Sequence, residues 1–488
     1  MRTAPDRTWR LPDNPYGYGL FAALGVLTVG AVAAATATTE MWILGVPFGL
    51  LLFGLAIRQF TAVFFILIAS LPLSVEVELA GGLATDLVSE PLMWLLTLVS
   101  IIWYARHWPE VSLRMVLHPI ALALWFHLAW ISITMITSEM PMVSFKYLLA
   151  KGWYVIVFFL LAGWVMHGKR PFLTLLWAFF IPLIITVSIV LVRHAMEGFT
   201  FEGSNYVMGP FYRNHVIYAC VQAIFLPFIW FGASFYPRWS FKWWVLVAGI
   251  LLLLVGINFA YTRAAYVALV AAFGVYWVIR WRLMKVVLVV TAIGLMSFYV
   301  VLSQRDNWLL FAPDFERTIT HSRFDNLLEA TTRLEDISTM ERVYRWVAAS
   351  YMVEDKPVTG FGPGTFYFFY KNYTVSSFKT YVSDNPERSG IHNYFLMTTV
   401  EQGLPGLVIF FLLVATVLLT GEHLYHRIAD PDERRMLLAA VLSFALINLL
   451  MLMNDLVETD KIGAFFFMNM AMIIQCGIAN IKPGRTAE

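Results

Sequence analysis

Fourteen stretches of about 15 to 21 residues in this chain are almost wholly apolar, and no other feature constrains its fold as strongly. They run at about 17–35, 41–57, 59–74, 91–105, 118–136, 148–167, 172–192, 216–232, 243–259, 264–279, 285–303, 404–421, 436–453 and 462–480. In hydrocarbon a backbone must satisfy its own hydrogen bonds, and a helix of roughly 20 apolar residues does so while spanning the bilayer. Of the 488 residues, 59% are hydrophobic and 14% charged, far from the balance of a soluble domain. A soluble enzyme, a coiled coil, a collagen and a disordered chain are excluded. A membrane barrel is excluded as well, because the runs are continuous and do not alternate. The two cysteines, Cys220 and Cys476, lie far apart in apolar runs and form neither a disulfide framework nor a zinc spacing. The basic N-terminus is followed by an apolar run without a clear small-residue cleavage site, which reads as a retained first helix.

The scarce charges give the orientation. With the N-terminus in the cytoplasm, the predicted inside segments hold eighteen Lys and Arg, among them Arg106, Arg114, Lys169, Arg170, Arg434 and Arg435. The short outside loops hold five: Lys146, Arg193, Arg213, Arg263 and Lys461. That asymmetry follows the positive-inside rule. It places the long segment of about 304–403 outside the cytoplasm and divides the chain into three parts. These are an N-terminal bundle (1–303, about eleven spans), an extracytoplasmic loop (304–403) and C-terminal helices (404–488, about three spans). Aromatic residues throughout the loop, including Trp308, Phe324, Trp346 and Phe366, argue against disorder.

Cations on the outer side need a reason. Snorkelling to lipid phosphates explains any one of them. As a set, Lys146, Arg213 and Arg263 at the outer ends of spans are joined by Arg342 and Arg345 on a predicted helix. Ser338-Thr339-Met340-Glu341 has the pattern of a capping box, and the helix is expected to run to about Glu354, ahead of Lys356-Pro357. Guanidinium groups present paired planar donors that suit phosphate, so the set can hold the diphosphate of a lipid-linked substrate. Gly360-Phe361-Gly362-Pro363-Gly364 reads as a tight turn, with an amide nest for an anion as the alternative. Next come His392-Asn393 and Glu401-Gln402-Gly403-Leu404-Pro405-Gly406. The glycines and proline predict a break, making 392–402 a short helix at the outer interface. His392 and Glu401 are nine positions apart and fall on opposite helix sides, so one faces a pocket while the other braces the turn. Acidic residues at Glu76, Asp86 and Glu90, and at Asp455, Glu458 and Asp460, read as solvated loop ends.

These motifs resemble, in order, those of the O-antigen ligase and polymerase superfamily of membrane glycosyltransferases, over about Pro72 to Gly421. Tyr261-Thr262-Arg263-Ala264 is similar to its Ser-Arg-Gly segment, and Gly209 to His215 to its Gly-x-Phe-x-Asn-Pro-Asn stretch. Arg342 with Trp346 matches its Arg-x-x-x-Trp helix, and Pro357 to Gly362 the Pro-x-x-Gly-x-Gly that follows. His392-Asn393, Glu401, Gly403 and Pro405-Gly406 match its hallmark. Arg213-Asn214-His215 stands in place of Asn-Pro-Asn, and Thr262 in place of Ser. The resemblance implies an all-α polytopic membrane protein of about 12–14 transmembrane helices with one large extracytoplasmic loop, GT-C-like, in the bacterial inner membrane. It also implies transfer of a glycan from a polyprenyl-diphosphate carrier to an acceptor hydroxyl on the periplasmic face, without metal, nucleotide sugar or cofactor. His392 is then the candidate base, and Arg263 and Arg342 the first candidates for the diphosphate. Arg213, Arg345, Lys146 and Lys151 stand behind them, and Asn393 and Glu401 orient the site. Lipid core, a growing glycan and protein remain open as acceptors, so ligase, polymerase and protein O-oligosaccharyltransferase are all compatible.

Two rivals fit less well. A metal-dependent oligosaccharyl or mannosyl transferase needs paired acidic residues in its first external loop, where this chain has only Glu40. A flippase or other transporter tends to carry repeats and midplane charges. Here no repeat is found and the charges collect at the outer surface.

Overall fold

The computed structural model describes residues 26–34, 36, 45–79, 83–107, 112–303, 337–374 and 390–480. Residues 26–34 are helical, and α1 (Gly45–Ser70) follows, kinked at Gln59. A hairpin of β1 (Val75–Leu79) and β2 (Leu83–Leu87) precedes α2 (Ser89–Arg106) and α3 (Pro119–Ile136). Then come α4 (Pro141–Val165), which is π-helical over Val155–Leu161, α5 (Lys169–Met196), α6 (His215–Ala233) and α7 (Phe241–Phe259). After α8 (Arg263–Arg280) and α9 (Met284–Ser303) stands the arginine-bearing α10 (Ile337–Asp355). The chain closes with α11 (Tyr394–Arg427), α12 (Pro431–Met451) and α13 (Asp460–Ala479).

Ten helices among the described residues are long and apolar enough to cross a membrane, so the chain is an all-α polytopic membrane protein. The difference from the fourteen apolar runs has specific causes. The runs at 41–57 and 59–74 join without a loop through the kink at Gln59. The run at 17–35 lies largely outside the described residues. Helix α2 carries Glu90 and Arg106 near its ends and is not among the ten, and α9 is apolar only over Met284–Ser297. The small hairpin was not expected. Val75-Glu76-Val77-Glu78-Leu79 alternates with period two, and it pairs antiparallel with β2, Val75 opposite Leu87.

Helices α12 and α13 form the centre, each with 83% of its apolar window buried inside the protein, whereas α8 buries only 22%. Asn469 donates to Ser443 at 3.0 Å between the two central helices, a polar tie of the kind that holds helices together where lipid is as apolar as the core. Segments assigned to one side by their charges meet at one end of the bundle. At the basic end Lys169 pairs with Asp432 at 2.8 Å, and His426 Nε2 contacts the Ile279 carbonyl at 2.9 Å. At the other end Ser74 bonds Asp460, the Glu139 amide bonds the Phe361 carbonyl, and the His392 amide bonds Asp455. The predicted loop contributes to that second end a small core of its own. Ala348, Ala349, Met352 and Val353 of α10 pack there against Phe361, Phe366, Ile391 and Val400. Residues 304–336 and 375–389 of the loop, with Trp308, Phe315 and Phe324, lie outside the described residues.

Candidate active site

Helix α10 spans the predicted range, although the side chains of its proposed capping box lie outside the described residues. Its apolar face packs into the small core, and the two arginines flank that face at different depths. Arg345 is 3% exposed and donates from Nη1 to the Gly390 carbonyl at 2.9 Å. Arg342 is half-buried. It lies close enough to act electrostatically on both His392 and His215.

His392 sits just before α11 with φ at 60°, a left-handed conformation that costs a side-chain-bearing residue about 1–2 kcal/mol and persists only when its surroundings hold it. Its amide donates to Asp455 Oδ2 at 2.7 Å. Asn393 is the N-cap of α11, its Oδ1 accepting from the Leu396 amide at 3.0 Å. Burial, then Arg345 and Arg342, push the His392 imidazole down to about 3. The ring is therefore neutral at physiological pH and has a free electron pair.

The break in α11 falls where the glycines and proline predict it. Gly403 has φ 73°, ψ 178°, and a Cβ there would lie 2.0 Å from the Val358 carbonyl oxygen, so two backbones touch at this point. The glycine loop wraps the break. The Phe361 amide donates to the Val400 carbonyl at 3.0 Å, Gly362 to the Glu401 carbonyl at 2.9 Å, and Leu404 to the Pro357 carbonyl at 2.8 Å. Glu401 is 3% exposed and accepts from the Phe366 amide at 3.2 Å. Phe361 and Gly362 thus bond the broken helix, which is the tight-turn reading of this segment. Glu401 points into the loop; the helical spacing from His392 does not apply, because His392 lies before the first residue of α11 in a left-handed conformation.

The family-like segments of the N-terminal half reach the same end. Asn214 caps α6 through the Ile217 amide at 2.9 Å, and His215 follows as its first residue. Thr262 Oγ1 lies 3.4 Å from the His215 carbonyl, and half-buried Arg263, the first residue of α8, follows Thr262 in the chain. Through its proximity to both histidines, Arg342 links this corner to His392. Arg213 is exposed two residues before His215. Lys146 is exposed on α4. Lys151, 3% exposed, pairs with Glu458 at 2.8 Å, donates to the Tyr394 hydroxyl at 3.1 Å, and lies over the Tyr147 ring. Its charge ties α4 to the start of α11.

The acidic residues of the last loop before α13 are bonded rather than simply solvated loop ends, although Glu458 remains exposed. Asp455 holds His392, and Glu458 accepts from Lys151, Tyr147 and Tyr394. Asp460 is 4% exposed, accepts from Ser74 at 2.5 Å and Ser89 at 2.8 Å, and stands beside buried Lys461. Burial, and then Asp460, push Asp86 on β2 up to about 7.

The site therefore sets a neutral imidazole beside guanidinium groups from α10, with the start of α8 held against the start of α6 by Thr262 and His215. That arrangement suits proton removal next to a bound polyanion. Among curated proteins, none matches the chain. Residues 248–411, from within α7 to within α11, match the family model described as O-antigen ligase, and this match supports the resemblance of the chain to the O-antigen ligase and polymerase superfamily.

Proposed function

We propose that the protein transfers a glycan from a polyprenyl-diphosphate carrier to an acceptor hydroxyl on the periplasmic face of the bacterial inner membrane, in the manner of a ligase. The observation that carries this reading is the pairing of Arg342 and Arg345 with neutral His392 at the end of the bundle that is poor in short-loop cations. Arg342 and Arg263 are assigned to the diphosphate, with exposed Arg213 at the rim. His392 accepts the acceptor's hydroxyl proton as the new bond to the anomeric carbon forms. The bond from that carbon to the diphosphate oxygen breaks, and the departing electron pair goes to the diphosphate, where preorganised arginines stabilise it. The bound diphosphate also offsets the guanidinium charge that depresses His392, so the base strengthens when the donor arrives. Arg345, Asn393 and Glu401 act as positioning residues, because the first holds the peptide before His392, the second caps its helix and the third anchors the loop behind it.

Two measurements test the reading. His392→Ala, purified and reconstituted with lipid-linked donor and acceptor, is expected to lose transfer by roughly 10²–10⁴-fold while still binding donor. Full activity sinks the base assignment. A deletion strain with its surface glycans separated by size is expected to lose attachment to the lipid core. Accumulation of single repeat units would instead identify a polymerase.

A further inference from the structure

The loop between α12 and α13 reaches back to the site. Asp455 in this loop accepts the His392 amide at 2.7 Å, and on the other side of Ile391 the Gly390 carbonyl accepts from Arg345 at 2.9 Å. A Cβ on Gly390 would fall 2.3 Å from Asp455 Oδ2, so the carboxylate lies directly against this tripeptide. We propose that Asp455 is a positioning residue for His392: its carboxylate fixes the peptide that carries the imidazole and supplies negative charge against Arg342 and Arg345. The inference rests on His392 being the base.

The charged groups involved come from α10, the loop before α13, and α11, whose Glu401 interacts with Asp455. Arg342 and Arg345 of α10 act on His392, and Arg345 also acts on Asp455. Glu458, three residues along the same loop, acts on Asp455 as well. Asp455 Oδ1 is buried with no hydrogen-bond partner among the described residues, although the Asn393 amide, like that of His392, acts on the carboxylate. Burial pushes the Asp455 carboxyl up to about 6, with the His392 amide and Arg345 pulling it down. Asp455 is thus ionised above about pH 6 and loses its charge as pH falls through that value. The arginine field on His392 is then unopposed, which weakens the base without protonating it.

The test is the pH dependence of kcat/KM for the lipid-linked donor, a quantity that reports groups of the free enzyme. Full-length protein in lipid nanodiscs is expected to show two acid steps: a partial one near pH 6, of about 3- to 10-fold, and a complete one much lower, where His392 titrates. Asp455→Asn keeps an acceptor for the amide and removes the charge. It is expected to sit on the lower plateau throughout, with no step near pH 6 and with donor affinity unchanged. Gly390→Ala, which pushes the carboxylate away, is expected to give a similarly reduced rate. Wild-type rate and a retained step in Asp455→Asn overturn the proposal, as does a change confined to donor affinity. If Asp455→Asn does not fold, a wild-type profile without the step near pH 6 overturns it. Activity in His392→Ala would remove the base reading itself. An inactive His392→Ala beside an unaffected Asp455→Asn would remove only the role of Asp455.

Discussion

Two cations near the site show why residue type alone does not assign a role. Arg342 is half-buried and acts on two histidines, whereas Lys151 is buried and ion-paired with Glu458. Arg342→Ala is therefore expected to weaken donor affinity by roughly tenfold or more, because a charged hydrogen bond contributes about 1.5–3 kcal/mol. Exposed phosphate contacts are screened by salt, so the difference from wild type should shrink as ionic strength rises. Unchanged affinity at every salt concentration counts against a diphosphate role. Lys151→Met is expected to leave donor affinity alone and to lower stability by about 1–3 kcal/mol, read by thermal unfolding in detergent. A rise in donor KM without loss of stability would return Lys151 to the anion site. The sequence placed both residues on the outer side, and Lys151 just inside a span. It did not give their partners, because Glu458 is 307 positions from Lys151.

At the scale of elements, α10 and the break in α11 were both legible from local chemistry. A capping pattern and a following Lys-Pro bound the first, and Gly403, Pro405 and Gly406 mark the second. What the local pattern left open was the use of the glycine loop, since amides that turn can face either an anion or another backbone. In the contact of 357–366 with 400–404 the loop does both: the Phe361 and Gly362 amides face backbone carbonyls, while those of Gly364 and Phe366 face the Glu401 carboxyl. Glu401→Gln retains an acceptor for the Phe366 amide and is expected to keep activity within a few-fold. Glu401→Ala leaves that buried amide unpaired, at about 1–3 kcal/mol, and is expected to lose folded protein and activity together. Equal and complete inactivation of both variants, with folding intact, would show that Glu401 takes part in proton transfer.

For the whole molecule, the charge asymmetry predicts which loops share a side, and the contacts at each end of the bundle group the loops they join in the same way, while Arg58, assigned to an inner loop, lies within α1 instead. Because Cys220 and Cys476 are buried, single cysteines introduced at Lys371 and Arg435 can be read against a quiet background. A membrane-impermeant thiol reagent applied from the periplasmic side is expected to label Lys371→Cys and spare Arg435→Cys; the reverse pattern inverts the proposed topology. The sequence by itself determined a polytopic helical membrane protein and the motifs of its site, because apolar run length and turn residues act locally or through the bilayer. It did not determine that Asp455 holds His392, that Glu458 neutralises Lys151, or that Arg345 grips a backbone while Arg342 stays half open. Those are pairings between segments far apart in the chain, fixed only when α10, α11 and the loop before α13 pack together. Burial then sets which charges remain available to a substrate.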